Sequence, residues 1–309
     1  MEIRVLNYFL MVAREENITK AAQLLHVTQP TLSRQLMQLE EELGVKLFKR
    51  SNHSIILTDD GMLLRRRAQE LLSLADKTKR EFVREEDKLT GEIAIGCGEL
   101  RSVSCLAEIL VAFREKYPLI RFDVYSGNVD NIKDRIERGL LDIGLLLEPA
   151  DVSKYEFVRM PIRETWGVLV RNDSPLAGKK SISPKDLQGI PLITTKRISL
   201  QNELSNWFGE YSEEMESVLT YNLIYNAAMM VREGMGAALC LKLESSYEDL
   251  CFVPLSPHLE LSSVVAWKKN QVFPPAVAAL IRFIKSYLNR EEETETLDSN
   301  HAADGGQEE

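Results

Sequence analysis

The chain has 309 residues and carries 38 lysines and arginines against 47 aspartates and glutamates, a formal net charge of −9 at pH 7. That length suits two or three domains, and the mixed composition is that of a globular protein, which excludes fibrous and low-complexity classes. No run approaches the ~18 apolar residues of a spanning helix, and MEIRVLNYFLMVAREEN places acidic residues where an export signal has its apolar core, so a cytoplasmic location without a membrane partner is expected. Cys97, Cys105, Cys240 and Cys251 lack CxxC spacing and the four histidines are scattered, so no metal site, disulfide framework or cofactor is expected. Much of the acidity lies in REEETETLDSNHAADGGQEE, and residues 291–309 read as a disordered acidic tail.

In chain order, residues 17–50 read as two short helices joined by a tight turn. Thr19 is the expected cap of the first, which carries Ala21, Ala22, Leu24 and Leu25 and ends near His26. Thr28 caps the second, and Pro30 fits its first turn, where amides have no intrahelical partner. Leu32, Leu36, Leu39 and Leu43 fall on one face and point to the core, and Gly44 ends the helix. The outer face offers Gln29, Thr31, Ser33, Arg34, Gln35 and Gln38, side chains that hydrogen-bond base edges and phosphates in a major groove. A plain helical hairpin has the same periodicity. What distinguishes this one is the cationic hairpin that follows, with Phe48-Lys49-Arg50 and Ile55-Ile56-Leu57 flanking the turn-rich Ser51 to Ser54.

The run AAQLLHVTQPTLSRQLMQLEEELGVKLFKR followed by LTDDG resembles the N-terminal winged helix-turn-helix of LysR-type transcriptional regulators, from about Phe9 to Gly61. The resemblance implies an all-α winged helix-turn-helix over residues 1–58. Gln29, Pro30, Ser33 and Arg34 would then lie at the interface with double-stranded promoter DNA, Thr31 close by, and Arg50 on the backbone beside the wing. It also implies homodimers or homotetramers, with RNA polymerase as a further partner.

Thr58-Asp59-Asp60-Gly61 starts a helix expected to run to about Lys88, ~45 Å at 1.5 Å per residue. Residues 59–89 form the expected linker, and the heptad seam Leu64, Ala68, Leu71, Ala75, Thr78 and Phe82 is its dimerisation face. Two copies would present two recognition helices to an inverted repeat. The cluster Arg65-Arg66-Arg67 reads as a solvated face.

After Thr90-Gly91 strands and helices alternate. Strands are expected at 93–96, 121–125 and 141–147, with a Ser102-capped helix ending near Tyr117, which gives a βαβαβ order and a parallel sheet. Further strands are expected at 167–170, 191–195, 218–221, 237–241 and 264–267, and a last helix at 275–289. Residues 90–290 are therefore expected to form two α/β lobes, lobe I at about 90–161 and 268–290 and lobe II at about 162–267, which the family resemblance implies to be an effector-binding domain. The two lobes resemble the periplasmic-binding-protein fold of LysR effector domains, with RGLLDIGLL and VREGMGAALC as matching segments. Ligands of such sheets sit beyond the carboxyl ends of strands. Leu100, Arg101, Ser102, Ser126 and Asn128 are the candidate contacts on lobe I, and Thr194, Thr195 and Asn222 on lobe II; Glu99 is read as a loop carboxylate only. Arg101 and Lys196, facing inward, would suit an organic anion.

The leading expectation is a DNA-binding regulator that responds to a small-molecule effector between two lobes. The rivals are an α/β enzyme and a solute-binding protein. No catalytic residues are assigned, since GxSxG, GxGxxG, P-loop and HExxH patterns are all missing. A transport role conflicts with the lack of an export signal and leaves the N-terminal domain unexplained.

Overall fold

A computed structural model describes the backbone of residues 1–50, 55–81, 89–244 and 246–304, and the side chains of those ranges apart from residues 50, 77, 79–81 and 290–304. The chain divides into two compact units, Met1–Arg84 and Glu85–Glu309. No helix among the described residues is long and apolar enough to cross a membrane.

The first unit packs α1 (Ile3–Glu15), α2 (Ile18–Leu24) and α3 (Gln29–Leu43) against a short hairpin, β1 (Phe48–Arg50) and β2 (Ile55–Leu57), and continues into α4 (Asp59–Glu81). Its core gathers Leu6, Phe9 and Val12 of α1, Ala21 and Ala22 of α2, and Leu32, Leu36 and Leu39 of α3. Phe9 meets Phe48 at 5.3 Å between ring centroids, fixing the hairpin onto α1. Small residues on α2 let α3 approach closely, as the sequence implied. Asn17, rather than Thr19, caps α2: its Oδ1 accepts from the Lys20 amide at 2.9 Å. Asn in extended backbone satisfies an orphan amide as well as Thr does, two residues earlier. Leu43 is 39% exposed and does not join the leucine face, because it lies in the last turn before Gly44, which ends α3 at φ 69°. The hairpin pairs Phe48 with Leu57 and Arg50 with Ile55, while the Ser51–Ser54 turn lies outside the described residues.

Thr58 caps α4 through its Oγ1, 2.9 Å from the Gly61 amide. A Cβ on Gly61 would stand 2.2 Å from the Leu47 carbonyl oxygen, so a glycine is required where α4 crosses the wing. Beyond it the expected dimer seam divides. Ala68 is fully buried in the core of its own unit and is not free for a second copy, while Leu64 packs against that core and stays half-exposed. The 3.6-residue helical repeat explains this, since a helix resting on its own domain must turn some apolar positions inward before the stripe leaves it. Leu71, Leu74, Met62 and Leu63 stay exposed, Ala75 is half-buried, and Phe82 lies outside the described residues.

The second unit contains two sheets. Its first half runs β3 (Gly91–Cys97), α5 (Val103–Lys116), β4 (Ile120–Ser126), α6 (Val129–Glu137), β5 (Ile143–Leu147) and β6 (Tyr155–Arg159). The chain then crosses into β7 (Glu164–Arg171), β8 (Leu192–Thr195), α7 (Ile198–Phe208), β9 (Ser217–Tyr221), α8 (Ile224–Arg232), β10 (Ala237–Leu241), β11 (Leu250–Pro254) and the two-residue β12 (Glu260–Leu261). It returns through β13 (Ser263–Lys268) and ends in α9 (Pro275–Asp304). The lobe I sheet has the order β4-β3-β5-β13-β6 and the lobe II sheet β11-β7-β10-β8-β9, with β12 attached to β7.

The βαβαβ reading holds for β3, β4 and β5, which pair in parallel. In both lobes, however, the crossing chain adds antiparallel strands: β13 between β5 and β6, and β7 between β10 and β11. β13 therefore belongs to lobe I, and the expected inclusion of residues 263–267 in lobe II is corrected. Hydrogen bonding decides this, since β13 registers Val265 against both Leu145 and Val158. α9 does not stop near Asn289 but continues to Asp304, so the expected tail at residues 291–304 is helical. Its glutamates, leucine and alanines are compatible with helix, and no glycine or proline occurs until Gly305. Lobe I closes where Phe113 of α5 meets Phe283 of α9 edge-on at 5.4 Å.

Candidate functional site

The polar edge of the first unit is built by α3. Thr28 caps it, its Oγ1 3.4 Å from the Thr31 amide and 2.8 Å from the Thr31 hydroxyl. With Leu32, Leu36 and Leu39 turned inward, the helical repeat leaves Gln29, Pro30, Thr31 and Arg34 exposed at the start of the helix and Ser33 half-buried. Gln35 donates to Gln38 Oε1 at 2.9 Å, which holds two amides in a fixed orientation on that face. Lys49 is exposed on β1, and the side chain of Arg50 lies outside the described ones.

Glu40, which the sequence reading passed over, ties this helix to the wing. Its Oε1 accepts from the amides of Leu47, at 2.8 Å, and Phe48, at 3.4 Å, and its Oε2 pairs with Lys46 at 3.0 Å. Burial pushes its pKa upward, but Lys46 and the two amides outweigh that and hold the carboxyl below the ordinary range. The carboxylate fixes the wing relative to α3, a geometry that any groove-reading head needs.

The second unit carries a cavity of about 650 Å³ of open space, mouth included, between its lobes. Leucine is the commonest residue in its walls. Of the residues expected to face it, Leu100, Asn128, Thr195 and Asn222 do; Arg101, Ser102, Ser126 and Thr194 do not. Arg101 points to Glu244 at 2.7 Å on the surface, Lys196 is exposed, and Thr194 bonds Ser217 at 2.8 Å. The organic-anion argument based on Arg101 and Lys196 therefore fails. Ser126 ends β4 and is exposed.

Ser102 is fully buried and serves a different purpose. Its amide and hydroxyl both donate to Glu164 Oε1, at 3.0 and 2.6 Å, the Arg101 amide donates to Oε2 at 2.9 Å, and Ser263 donates to the Ser102 hydroxyl at 2.7 Å. This network joins the start of α5, the first crossing strand and the returning strand, so Ser102 fastens the hinge rather than capping α5 with its side chain. Asn128 does act as a cap, accepting from the Asn131 amide at 2.9 Å, while also lining the cavity.

Two charged residues belong to the cavity wall: Glu99, read from the sequence as a loop carboxylate only, and Arg197, which the sequence reading passed over. Glu99 reaches from lobe I to the start of α8, where its Oε2 accepts from the Ile224 amide. Burial raises its pKa, and the amides of Ile224 and Tyr225 counter that. Arg197 reaches the other way, donating to the carbonyls of Leu147, at 3.0 Å, and Pro149. Burial lowers its pKa and the more distant charge of Asp130 opposes the shift; a guanidinium remains protonated regardless. The adjacency Lys196-Arg197 was the available signal: in the short link from β8 to α7 Lys196 is exposed and Arg197 buried. No group of His, Cys, Asp and Glu among the described residues is placed to hold a metal ion.

Comparison with known proteins agrees with both halves. The model for the bacterial regulatory helix-turn-helix protein, lysR family, matches residues 3–62, and the model for the LysR substrate binding domain matches residues 86–289. The Hca operon transcriptional activator HcaR of Escherichia coli (strain K12) is 29% identical over 297 residues, covering 93% of this chain and 98% of that protein. The uncharacterized HTH-type transcriptional regulator YvbU of Bacillus subtilis (strain 168) is 28% identical over 247 residues, 80% of this chain and 83% of its own. Among solved structures, full-length CbnR complexed with its target DNA superposes with a TM-score of 0.74 at 22% identity, covering 93% of this chain and 99% of that one, a likeness of fold. With the two family models spanning most of its length, the chain belongs to the LysR family of transcriptional regulators, with a DNA-binding helix-turn-helix domain and an effector-binding domain.

Proposed function

We propose that the chain binds an inverted repeat in promoter DNA as a dimer or tetramer, places the start of α3 in the major groove with the wing on the backbone, and responds to a small molecule held between its lobes. At the promoter it meets RNA polymerase. The observation that carries the DNA half is the division of α3: three leucines hold one face in the core, and Gln29, Pro30, Thr31 and Arg34 stand free at the N-terminal end of the other. Recognition helices present base contacts from that end. Arg50 is assigned to the backbone beside the wing by its place at the end of β1. The two-lobed cavity supports the effector half, because apolar walls with a few inward polar groups are the usual form of a ligand site.

Footprinting of the upstream region with the wild-type chain and with Arg34→Ala tests the DNA half. Arg34→Ala should weaken specific binding by about 1–3 kcal/mol and relax the sequence requirement at one position per half-site. An unchanged footprint and affinity would remove Arg34 from the interface.

A further inference from the structure

Two N–H donors among the described side chains are sealed from solvent without an acceptor: Nε1 of Trp166 and Nε of Arg197. Trp166 is 1% and Arg197 7% exposed, and both residues belong to the wall of the cavity between the lobes. A buried donor left unmade incurs its whole desolvation penalty, so native structures rarely keep one without a reason. Here two border a single cavity.

Of the charged residues lining that cavity, Arg197 is the cation and Glu99 the carboxylate. Arg197 uses its two terminal nitrogens on main-chain carbonyls, which carry no formal charge, and the charge of Asp130 acts on it without a hydrogen bond. Glu99, the acidic group in the same cavity, is committed to the Ile224 amide. The rest of the wall is mostly apolar, with Leu100, Leu145, Leu200 and Leu241 among its residues.

We infer that the cavity takes a small monocarboxylic acid with an apolar body, its carboxylate accepting from Arg197 Nε and Trp166 Nε1. The assignment rests on the reading of the cavity as the effector site. The guanidinium and indole supply directional donors to an anion, the leucines take the body, and Glu99 opposes a second negative charge. Dicarboxylates and neutral isosteres are selected against for different reasons, one by repulsion and the other by the loss of a charge-assisted bond.

Calorimetric titration of the full chain with hexanoate, benzoate, adipate and hexanamide tests this. Hexanoate or benzoate should saturate one site per chain, with adipate and hexanamide at least about tenfold weaker. Trp166→Phe, which keeps the ring and removes the N–H, should weaken the acid about fivefold to tenfold, and Arg197→Gln about tenfold to a hundredfold. The acid-against-amide comparison on the wild-type chain needs no variant, so it stands even if a variant fails to fold. The inference is overturned if neither monoacid binds, if hexanamide binds as tightly as hexanoate, or if both folded variants stay within twofold of wild type. Operator affinity measured in parallel separates the two readings. A neutral compound that binds the cavity and shifts operator affinity sinks the acid class alone; a monoacid that binds through Arg197 and leaves operator affinity unchanged sinks the effector reading alone.

Discussion

Removing the Glu164 carboxylate should expose how much the hinge depends on one side chain. Glu164 is fully buried and accepts the Arg101 amide, the Ser102 amide and the Ser102 hydroxyl within 2.6–3.0 Å. Glu164→Ala strands these donors, two of them at the start of α5, and opens a small cavity. Each unsatisfied buried group costs about 1–3 kcal/mol. The costs overlap, since the Ser102 hydroxyl can turn to the Ile162 carbonyl, 3.5 Å away. A net loss of about 3–5 kcal/mol follows, the range seen when a buried charge network loses a member. Glu164→Gln keeps one acceptor oxygen but turns an amide N–H₂ toward a donor, so it should lie between wild type and alanine. Urea unfolding followed by circular dichroism and by tryptophan fluorescence would read the loss in the second unit. A drop below about 1 kcal/mol for Glu164→Ala would refute the claim that the carboxylate holds the crossing strands together.

Three other outcomes are open to measurement. Leu71→Glu, on the exposed part of α4, should shift sedimentation equilibrium toward monomer, whereas a variant as dimeric as wild type at low concentration would place the interface elsewhere. At pH 8, a thiol reagent should modify half-exposed Cys251 first, since burial holds Cys97 and Cys240 up at about 11 and about 12; mass mapping that finds Cys240 labelled first in the native chain would contradict that burial. Asp186 is held down at about 2 by Lys179, then by the Ser183 hydroxyl and amide, from an ordinary 3.8. Its folded pKa is depressed, so its contribution is complete above about pH 4 and lost as pH falls through about 2; Asp186→Asn should flatten the acid limb of a stability profile between those values, and an unaltered limb would count against the pairing.

The helix-turn-helix was legible because periodicity, caps and the Gly44 stop are local signals, carried by contiguous residues. The same holds for β3 to β5 and for β8, β9 and β10. Sequence pattern failed where partners are distant. Nothing local tells that Ala68 meets its own unit before it could meet a second copy, or that β13 returns to lobe I. β6 and β11 escaped notice because Tyr155–Arg159 and Leu250–Pro254 alternate only weakly. In the cavity, position after a strand found Leu100, Asn128, Thr195 and Asn222, but mistook Ser102 for a cap and picked Lys196 where its neighbour Arg197 faces in. Glu40 was passed over and Glu99 read as a loop carboxylate for one reason: a carboxylate that bonds backbone amides has partners without a sequence signature.

Glu99 and Arg197 clasp opposite lobes, and in both cases what they hold is main chain: an amide at the start of α8, and carbonyls at and just after the end of β5. Main-chain groups are present whatever side chain accompanies them. Residues 147 and 224 can therefore change type, and the cavity wall with them, while the two clasps persist. Drift or deliberate redesign could reshape what the pocket accepts without altering how firmly the lobes are fastened, which separates the choice of ligand from the mechanics of the response.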